Sequence, residues 1–347
     1  MAVAQRLGCV AAGPGLRRRR ARAGRRRDDP RGHGRGRGAG RRGDGARPAG
    51  AWPGVKDFGL IIADKPVGPT SHQIVGHVRR GTGIRKVGHA GTLDPRASGV
   101  LVLCLGAATR LSEYLSATSK EYEATIRFGI STRTFDTDGE ITRQSNRAPS
   151  RREIEQLLPE FRGDIVQKPP PYSAVKVQGR KAYELARAGD DLDLQPRTVT
   201  ISRLELRAYQ PPDLSLRIEC SAGTYIRSLA HDLGERLGTG AHLAGLRRVR
   251  AGPFSLADAT PWPMLEVGML TGKWERYVRP ASDALPDLPA VTVDAEGIEA
   301  LRFGHRIPSE PGAAGLAKAI DSSGELVAIL EAVEGGTLWH PRKVFLG

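Results

Sequence analysis

Short apolar stretches and alternation of apolar with polar residues dominate the chain from about residue 58 onward. Residues 100–105 are continuously apolar, which is typical of a strand that is buried on both faces. Residues 120–129 and 214–220 alternate apolar and polar positions with period 2, as a strand with one buried face does. Residues 58–66 and 199–209 predict two further strands, so β structure is expected through the body of the chain.

Helical spacing separates several of these strands. Thr70 or Ser71 can cap a first helix, Ser150 and Glu153 form a capping box before a second, and Thr224 can cap a third. After each cap, apolar residues recur at helical spacing: Ile74, Val75, Val78, Ile154, Leu157, Leu158, Ile226, Leu229 and Leu233. A shorter helix is predicted at residues 107–115. The chain is therefore expected to mix helices and strands in one body.

The C-terminal part of the chain reads as a separate unit. Residues 280–289 are rich in Pro, Asp and Ala, as linkers often are. After them the pattern predicts a short helix at 296–303 and small strands at 317–320, 326–331 and 343–346. A small β-rich module is expected there.

The formal net charge of +15 is concentrated at the N-terminus. Residues 1–54 contain 15 Arg and 3 Asp, which leaves 38 basic and 35 acidic residues in the remainder. Blocks of Arg that repel one another, with little apolar surface to bury, predict a disordered tail. Three interpretations of the tail stay open: a start codon placed too far upstream, an RNA-binding arm, and an organelle transit peptide. Any RNA-binding surface in the body must come from a local arrangement of Arg and Lys.

Other features narrow the class of protein. Cys9, Cys104 and Cys220 are far apart and lack C-x-x-C spacing, so neither a zinc site nor a disulfide framework is expected. No stretch approaches 18 apolar residues and no secretory signal is visible, which favours a cytoplasmic protein without a membrane span. The sequence has no P-loop, no dinucleotide fingerprint and no clustered metal ligands, so no cofactor or metal is expected.

A glycine-punctuated loop precedes the apolar run at 100–105. Residues 86–99 read Lys-Val-Gly-His-Ala-Gly-Thr-Leu-Asp-Pro-Arg-Ala-Ser-Gly, with one acid, Asp94, between His89 and Pro95. An ordinary Asp-Pro turn is one interpretation. The other is a catalytic carboxylate, because Asp94 is surrounded by glycines, stands next to a buried strand and has no nearby helix to cap.

The loop closely resembles the catalytic motif of the TruB family of tRNA pseudouridine synthases, in which the residue matching Asp94 is the essential catalytic residue. Phe135 departs from the family's commonest wording, although Asp136 still aligns. Further matches run from about residue 58 to residue 248: Asp64-Lys65-Pro66 with Gly68, Tyr122, the stretch 129–139, the segment 167–183, Gly223-Thr224-Tyr225-Ile226-Arg227, and the run 240–248 with Leu246.

The resemblance implies a fold and a domain organisation. The expected fold is the α+β pseudouridine synthase fold, a mixed and mainly antiparallel sheet flanked by helices. It would occupy a catalytic domain at residues 55–280, after the disordered tail at 1–54. Proteins of the family often end in a PUA or PUA-like RNA-binding domain, and residues 288–347 are compatible with one.

The resemblance also implies what the residues around the catalytic acid do. Asp94 would attack C1′ of the ribose or act as a base at C2′ through a glycal, and the sequence leaves both routes open. Arg227 would reach Asp94 and keep its carboxylate charged. Tyr225, Asp136 and Leu246 would line the uridine pocket.

Two more residues would handle the base itself. Tyr122 would stack on the flipped uracil and take the C5 proton late in the reaction, and His89 would enter the space that the base vacates. A second set of five residues would contact the RNA backbone: Lys65, Lys176, Arg180, Lys181 and Arg247.

The expected function is that of a monomeric tRNA pseudouridine synthase, which isomerises uridine 55 in the T-loop without a cofactor or protein partner. Two alternatives stay open. One is a relative that depends on a guide RNA and partner proteins, as the box H/ACA enzymes do. The other is a non-catalytic RNA-binding or RNA-folding protein that uses the same groove.

Overall fold

The computed structural model describes residues 57–173, 176–177, 180–181 and 194–346, the two short pairs by their backbone alone. The predicted tail at residues 1–54 lies outside this part of the chain. The strand pair Lys176–Val177 and Arg180–Lys181 is described, but the side chains of Lys176, Arg180 and Lys181 are not.

A mixed sheet of ten strands forms the centre of the described part of the chain. Its strands are β1 (Gly59–Lys65), β2 (Val87–Ala90), β3 (Ala97–Leu105), β4 (Lys120–Phe128), β7 (Gly163–Gln167), β10 (Arg197–Gln210), β11 (Asp213–Cys220), β12 (Ala241–Ala251), β13 (Phe254–Ser255) and β14 (Thr260–Pro261). Their order is β14-β1-β3-β12-β4-β11-β10-β7, with β2 paired to β3 and β13 to β12. Neighbours run antiparallel except at β1–β14 and β3–β12, which confirms a mixed, mainly antiparallel sheet.

The remaining strands lie outside this sheet. Two short hairpins pair β5 (Ile130–Thr132) with β6 (Ile141–Gln144) and β8 (Lys176–Val177) with β9 (Arg180–Lys181). The C-terminal sheet has the order β15-β17-β18-β19-β16, built from β15 (Ala290–Thr292), β16 (Ile307–Pro308), β17 (Leu316–Ile320), β18 (Leu326–Val333) and β19 (Leu338–Val344). The predicted C-terminal strands are confirmed, and the last one begins earlier than the pattern indicated.

Helices α1 (Ser71–Thr82), α2 (Ser112–Ala117), α3 (Arg151–Leu157), α4 (Ile226–Arg236) and α5 (Trp262–Leu270) accompany the central sheet. Helix α6 (Ala295–Arg302) packs on the C-terminal sheet. Short 3-10 turns occur at Gly106–Leu111, Leu158–Phe161, Leu256–Asp258, Trp274–Tyr277, Ala281–Ala284 and Glu334–Gly336. Within the described residues, no helix combines the length and apolar character that crossing a membrane requires.

Two of the three helix caps predicted from the sequence are present in the structure. Ser150 forms the predicted capping box with Glu153, and Thr70 forms a capping box before α1. The predicted N-cap at Thr224 is wrong, because α4 begins two residues later at Ile226. The Thr224 hydroxyl instead donates to the carbonyl oxygen of Ser221, 3.0 Å away.

Two apolar cores lie on opposite faces of the central sheet. One core joins β1, β3, β4 and β11 to α1, α3, α4 and α5. The other includes Cys104 of β3 and reaches Leu326 and Ile329 of the C-terminal sheet and Phe345, which follows that sheet. The C-terminal sheet therefore packs on the central sheet through a shared core.

Candidate active site

The loop that carries Asp94 connects β2 to β3 and is tied down on both sides. The backbone N–H of Ala97 donates to the Asp94 carbonyl oxygen at 3.0 Å, which closes a turn at the start of β3. Ser71, the first residue of α1, accepts from the Leu93 N–H at 2.8 Å and donates to its carbonyl oxygen at 2.9 Å. The carboxylate of Asp94 is 43% exposed, so it faces open space from a fixed backbone.

Arg227, in the first turn of α4, places its guanidinium between two carboxylates. Its Nε lies 2.9 Å from Asp94 Oδ2 and its Nη1 lies 3.5 Å from Asp136 Oδ2. The guanidinium also donates to the carbonyl oxygens of Tyr172 at 3.0 Å and Thr134 at 3.3 Å. Only 9% of the Arg227 side chain is exposed, so the ion pair is poorly screened by water. The structure thus brings together Asp94, Arg227 and Asp136 from three distant parts of the sequence.

Asp136 is itself held by the turn that follows β5. Its Oδ1 accepts from the Thr134 hydroxyl at 2.5 Å and from the Asp138 N–H at 3.0 Å. Its side chain is 13% exposed, so it serves as a fixed counter-ion on the far side of Arg227.

The guanidinium of Arg248, in β12, binds backbone carbonyl groups of the Asp94 loop and of β3. Its Nε donates to the Val100 carbonyl oxygen at 2.7 Å, and its Nη2 donates to that of Gly91 at 3.0 Å. The side chain is 1% exposed, and among the described residues no carboxylate lies within 4 Å of the guanidinium. This role was not predicted from the sequence, although Arg248 lies in the family-like run at residues 240–248.

The predicted contact between Lys65 and the RNA backbone is wrong, because Lys65 is buried. It is fully buried at the end of β1, where its Nζ donates to the carbonyl oxygens of Ala97 at 2.7 Å and Pro66 at 2.9 Å. An RNA phosphate cannot contact an ammonium group in this position. Burial lowers the pKa of Lys65 to about 8, and the nearby Asp94 carboxylate opposes that shift. Lys65 therefore supports the start of β3 instead of facing RNA.

Tyr122 and His89 lie in neighbouring parts of the sheet. Tyr122 stands opposite Arg248 in the pairing of β4 with β12 and is 9% exposed. Burial raises the pKa of the Tyr122 phenol, and the positive charge of Arg248 acts in the opposite direction. His89 lies on β2, its Nδ1 is buried without a hydrogen-bond partner among the described residues, and burial lowers its pKa.

Tyr225 immediately precedes α4 and is fixed through its backbone. The Gln167 side-chain oxygen accepts from the Tyr225 N–H at 2.8 Å, and the Gln167 amide donates to the Tyr225 carbonyl oxygen at 3.1 Å. The chain is thus held by Gln167 at the residue before α4, and α4 has no side-chain cap. Burial raises the pKa of the Tyr225 phenol.

A pocket and a groove meet at this cluster. The pocket is lined by Asp94, Asp136, Arg227 and residues 243–246, which include Leu246. A groove of about 950 Å³ adjoins it, because Arg96 and residues 244–246 line both. Arg207, Arg217 and Arg247 form the basic wall of the groove. Each guanidinium is paired with a carboxylate, at 3.6 Å from Glu205, 2.6 Å from Glu121 and 2.8 Å from Asp64, and Glu123 also lines the groove. Within the described residues, no group of three or more His, Cys, Asp or Glu side chains is placed to hold a metal ion.

The architecture matches solved structures that contain a pseudouridine synthase fold. One is the structure of an H/ACA RNP bound to a substrate RNA containing 2′-deoxyuridine, 28% identical, with a TM-score of 0.64 over 84% of this chain and 86% of that one. Another is a Cbf5-Nop10-Gar1 complex, 29% identical, with a TM-score of 0.64 over 84% of this chain and 85% of that one. The fold and the carboxylate–guanidinium pocket thus define a protein of the pseudouridine synthase class, as the resemblance implied.

Two family models place the chain more narrowly. The TruB family pseudouridylate synthase N-terminal domain matches residues 79–226, and the tRNA pseudouridylate synthase B C-terminal domain matches residues 227–285. Proteins called tRNA pseudouridine synthase B are 46% identical in Syntrophobacter fumaroxidans (71% of this chain, 81% of the relative) and 43% identical in Dehalococcoides mccartyi (83% and 96%). One from Pseudomonas aeruginosa is 40% identical over 82% of this chain and 95% of the relative. The chain belongs to the TruB family, which confirms the recognition made from its motifs.

Proposed function

We propose that this protein is a tRNA pseudouridine synthase that isomerises uridine 55 in the T-loop of tRNA. The observation that carries the proposal is the Asp94 carboxylate, ion-paired to a buried Arg227 at a pocket that opens into an arginine-lined groove. A groove of this kind suits a folded RNA, because Arg side chains neutralise backbone phosphates. The names of the relatives point to the same substrate class.

The reaction needs no net oxidation or reduction. The N1–C1′ bond breaks, the uracil turns, a C5–C1′ bond forms, and the proton on C5 is lost while N1 gains one. The Asp94 carboxylate supports either attack at C1′ or proton removal at C2′, and the ion pair with Arg227 orients it. Tyr122, which stands opposite Arg248 in the pairing of β4 with β12, is the group that we assign to stacking on the flipped base and to the C5 proton.

The other assigned residues surround the flipped nucleotide. Tyr225 and Leu246 line the uridine pocket with Asp136, and His89 enters the stack in place of the base. Arg247 contacts the RNA backbone from the wall of the groove. Contacts from Lys176, Arg180 and Lys181 stay predictions from the sequence. Lys65 is buried and does not contact the RNA backbone.

The proposal extends to the organisation of the enzyme. The catalytic domain spans residues 55–280, and the C-terminal sheet belongs to a PUA-like RNA-binding domain at 288–347. The enzyme acts in the cytoplasm as a monomer and needs neither a guide RNA nor a protein partner. Support for the stand-alone form comes from relatives at 40–46% identity, against 28–29% for the H/ACA structures.

The decisive experiment is tritium release from C5-labelled uridine in unmodified tRNA by the purified full chain. Wild-type protein is expected to release one tritium per tRNA, and a tRNA with cytidine at position 55 is expected to release none. Asp94→Asn should abolish release and still bind tRNA in a filter-binding assay. Asp287→Asn removes an exposed carboxyl group near β15 and serves as the matched control with full activity.

Three outcomes would contradict the proposal. Full activity in Asp94→Asn would show that the Asp94 carboxylate takes no part in the reaction. Activity that appears only with an added guide RNA would favour the H/ACA type of enzyme. Binding of tRNA without any tritium release by the wild type would favour a non-catalytic RNA-folding protein.

A further inference from the structure

Phe135 has a backbone conformation that aromatic residues rarely adopt. Its φ is 63°, in the left-handed region where a side chain crowds the following carbonyl group. Such conformations persist only where the surroundings hold them, and they cluster at functional sites. Phe135 immediately precedes Asp136, which contacts Arg227. The unusual conformation therefore lies one residue from the carboxylate–guanidinium cluster.

A ring stack holds Phe135 in place from α4. The Phe135 and His231 rings are 3.9 Å apart between centroids, and their planes differ by 5°. His231 lies four residues after Arg227, so both side chains leave the same face of α4. The helix therefore contacts the 134–136 turn at two points: Arg227 at Thr134 and Asp136, and His231 at Phe135.

The imidazole of His231 contacts Phe135 through the face of its ring. Nδ1 of His231 is buried and has no hydrogen-bond partner among the described residues. Burial also lowers the pKa of His231, so the ring is neutral near pH 7. The backbone of Phe135 is fixed from the other side, because its carbonyl oxygen accepts from the Leu243 N–H at 2.9 Å. Leu243 also lines the pocket, so the stack is joined directly to the pocket wall.

We propose that Phe135 and His231 are positioning residues: their stack holds residue 135 in the left-handed conformation and so directs Asp136 onto Arg227, which orients Asp94. The inference rests on the proposed function of the site and deepens it. Phe135 departs from the commonest wording of the family motif, and its stacking partner is supplied 96 positions later in the chain. In this structure the pair fixes the turn that carries Asp136.

Two substitutions separate the stack from the backbone conformation. Phe135→Gly accepts a positive φ without strain but lacks the ring, and His231→Ala removes the ring on the other side. Because misplacement by about 1 Å at a catalytic group can lower a rate about a hundredfold, each should lower kcat for tritium release about tenfold or more. The KM for tRNA should change less than about twofold, because neither side chain lines the basic wall of the groove. His231→Phe keeps a flat ring and should restore kcat.

A double-mutant cycle tests whether the stack acts through Asp136. In an Asp136→Asn background, Phe135→Gly should change kcat less than about twofold, since the group that it positions is already gone. Circular dichroism melts establish that each variant is folded at the assay temperature. If Phe135→Gly does not fold, the His231→Ala and His231→Phe pair decides.

The outcomes that overturn the inference are distinct from failure of the proposed function. Full kcat in both single variants, or losses that multiply in the double variant, would show that the stack does not position Asp136. Unfolding of both Phe135→Gly and His231→Ala would make the stack a folding element only. A wild-type protein without tritium release would instead overturn the proposed function and leave no rate for the stack to affect.

Discussion

The buried guanidinium of Arg248 offers a sharp test of how the Asp94 loop is held. Arg248→Met keeps most of the side-chain volume and removes the donors to the carbonyl oxygens of Val100 at 2.7 Å and Gly91 at 3.0 Å. A third donor, to Thr92, is long at 3.4 Å and counts for less. Each buried acceptor left without a donor costs about 1–3 kcal/mol. Removing a cation from a buried site returns part of that cost.

The expected net effect is a loss of about 2–4 kcal/mol in the free energy of unfolding. This is a large fraction of the roughly 5–15 kcal/mol typical of a folded protein, yet it leaves the variant folded at low temperature. Because Gly91 and Thr92 would lose their anchor, Asp94 two residues later should move relative to Arg227. The kcat for tritium release is then expected to fall about ten- to a hundredfold.

Urea denaturation followed by circular dichroism measures the first quantity, and tritium release at 15 °C measures the second. Arg250→Met is the matched control in the same strand. Its side chain is 31% exposed and paired with Glu219 and Glu121, so its loss should cost roughly 0–1 kcal/mol. Two results would show that the hydrogen bonds from Arg248 do not hold the loop. One is a free energy of unfolding for Arg248→Met within about 1 kcal/mol of the wild-type value, and the other is full kcat in this variant.

Three further predictions follow from other contacts. Arg227→Met should lower kcat at least about a hundredfold. Arg227→Lys should lower it less, because lysine keeps the positive charge and loses only the planar guanidinium, and equal losses in the two variants would contradict this. Gly99→Ala should cost more than about 3 kcal/mol in urea denaturation, because its Cβ would lie 2.1 Å from the Arg248 carbonyl oxygen at φ 101°; Gly163→Ala, with no atom nearby, should cost only about 1 kcal/mol. Burial raises the pKa of Asp232 from 3.8 to about 6, so the wild type loses stability as pH rises through 6. The free energy of unfolding of Asp232→Asn minus that of the wild type should therefore be about 1–2 kcal/mol larger at pH 8 than at pH 4.5. A difference that does not change with pH would refute this.

Local patterns predicted the elements whose stability is local. The alternation in β4 and β11 gave both strands, and the Ser150 capping box is present as expected. By contrast, no element was assigned to residues 241–251, which form the central strand β12. That strand carries Arg247 and Arg248 within a run of apolar and small residues, so its sequence lacks clear alternation. Its pairing with β3 and β4 determines its structure.

Long-range contacts account for the errors at the site. Lys65 looks like a solvated charge after a strand, but the Ala97 carbonyl oxygen, 32 residues away, accepts from its ammonium group. Thr224 looks like a helix cap, but Gln167, 58 residues from Tyr225, binds the backbone there instead. Sequence periodicity reports which face of an element is buried, and it carries no information on which distant polar group meets it.

Three buried cations lie near the Asp94 loop, and keeping their charges buried costs free energy. Lys65, Lys120 and Arg248 are at most 5% exposed, and the hydrogen bonds described for them go to backbone carbonyl oxygens: two for Lys65 and three each for the other two. Burial lowers the pKa of both lysines to about 8, which means that their charges are held at an energetic cost near pH 7. A fold selected for stability alone would favour apolar residues at such positions. The interaction of Lys65 with Asp94 shows what the cost achieves: a buried positive charge lies beside the carboxylate at the pocket, and the carboxylate in turn raises the pKa of Lys65.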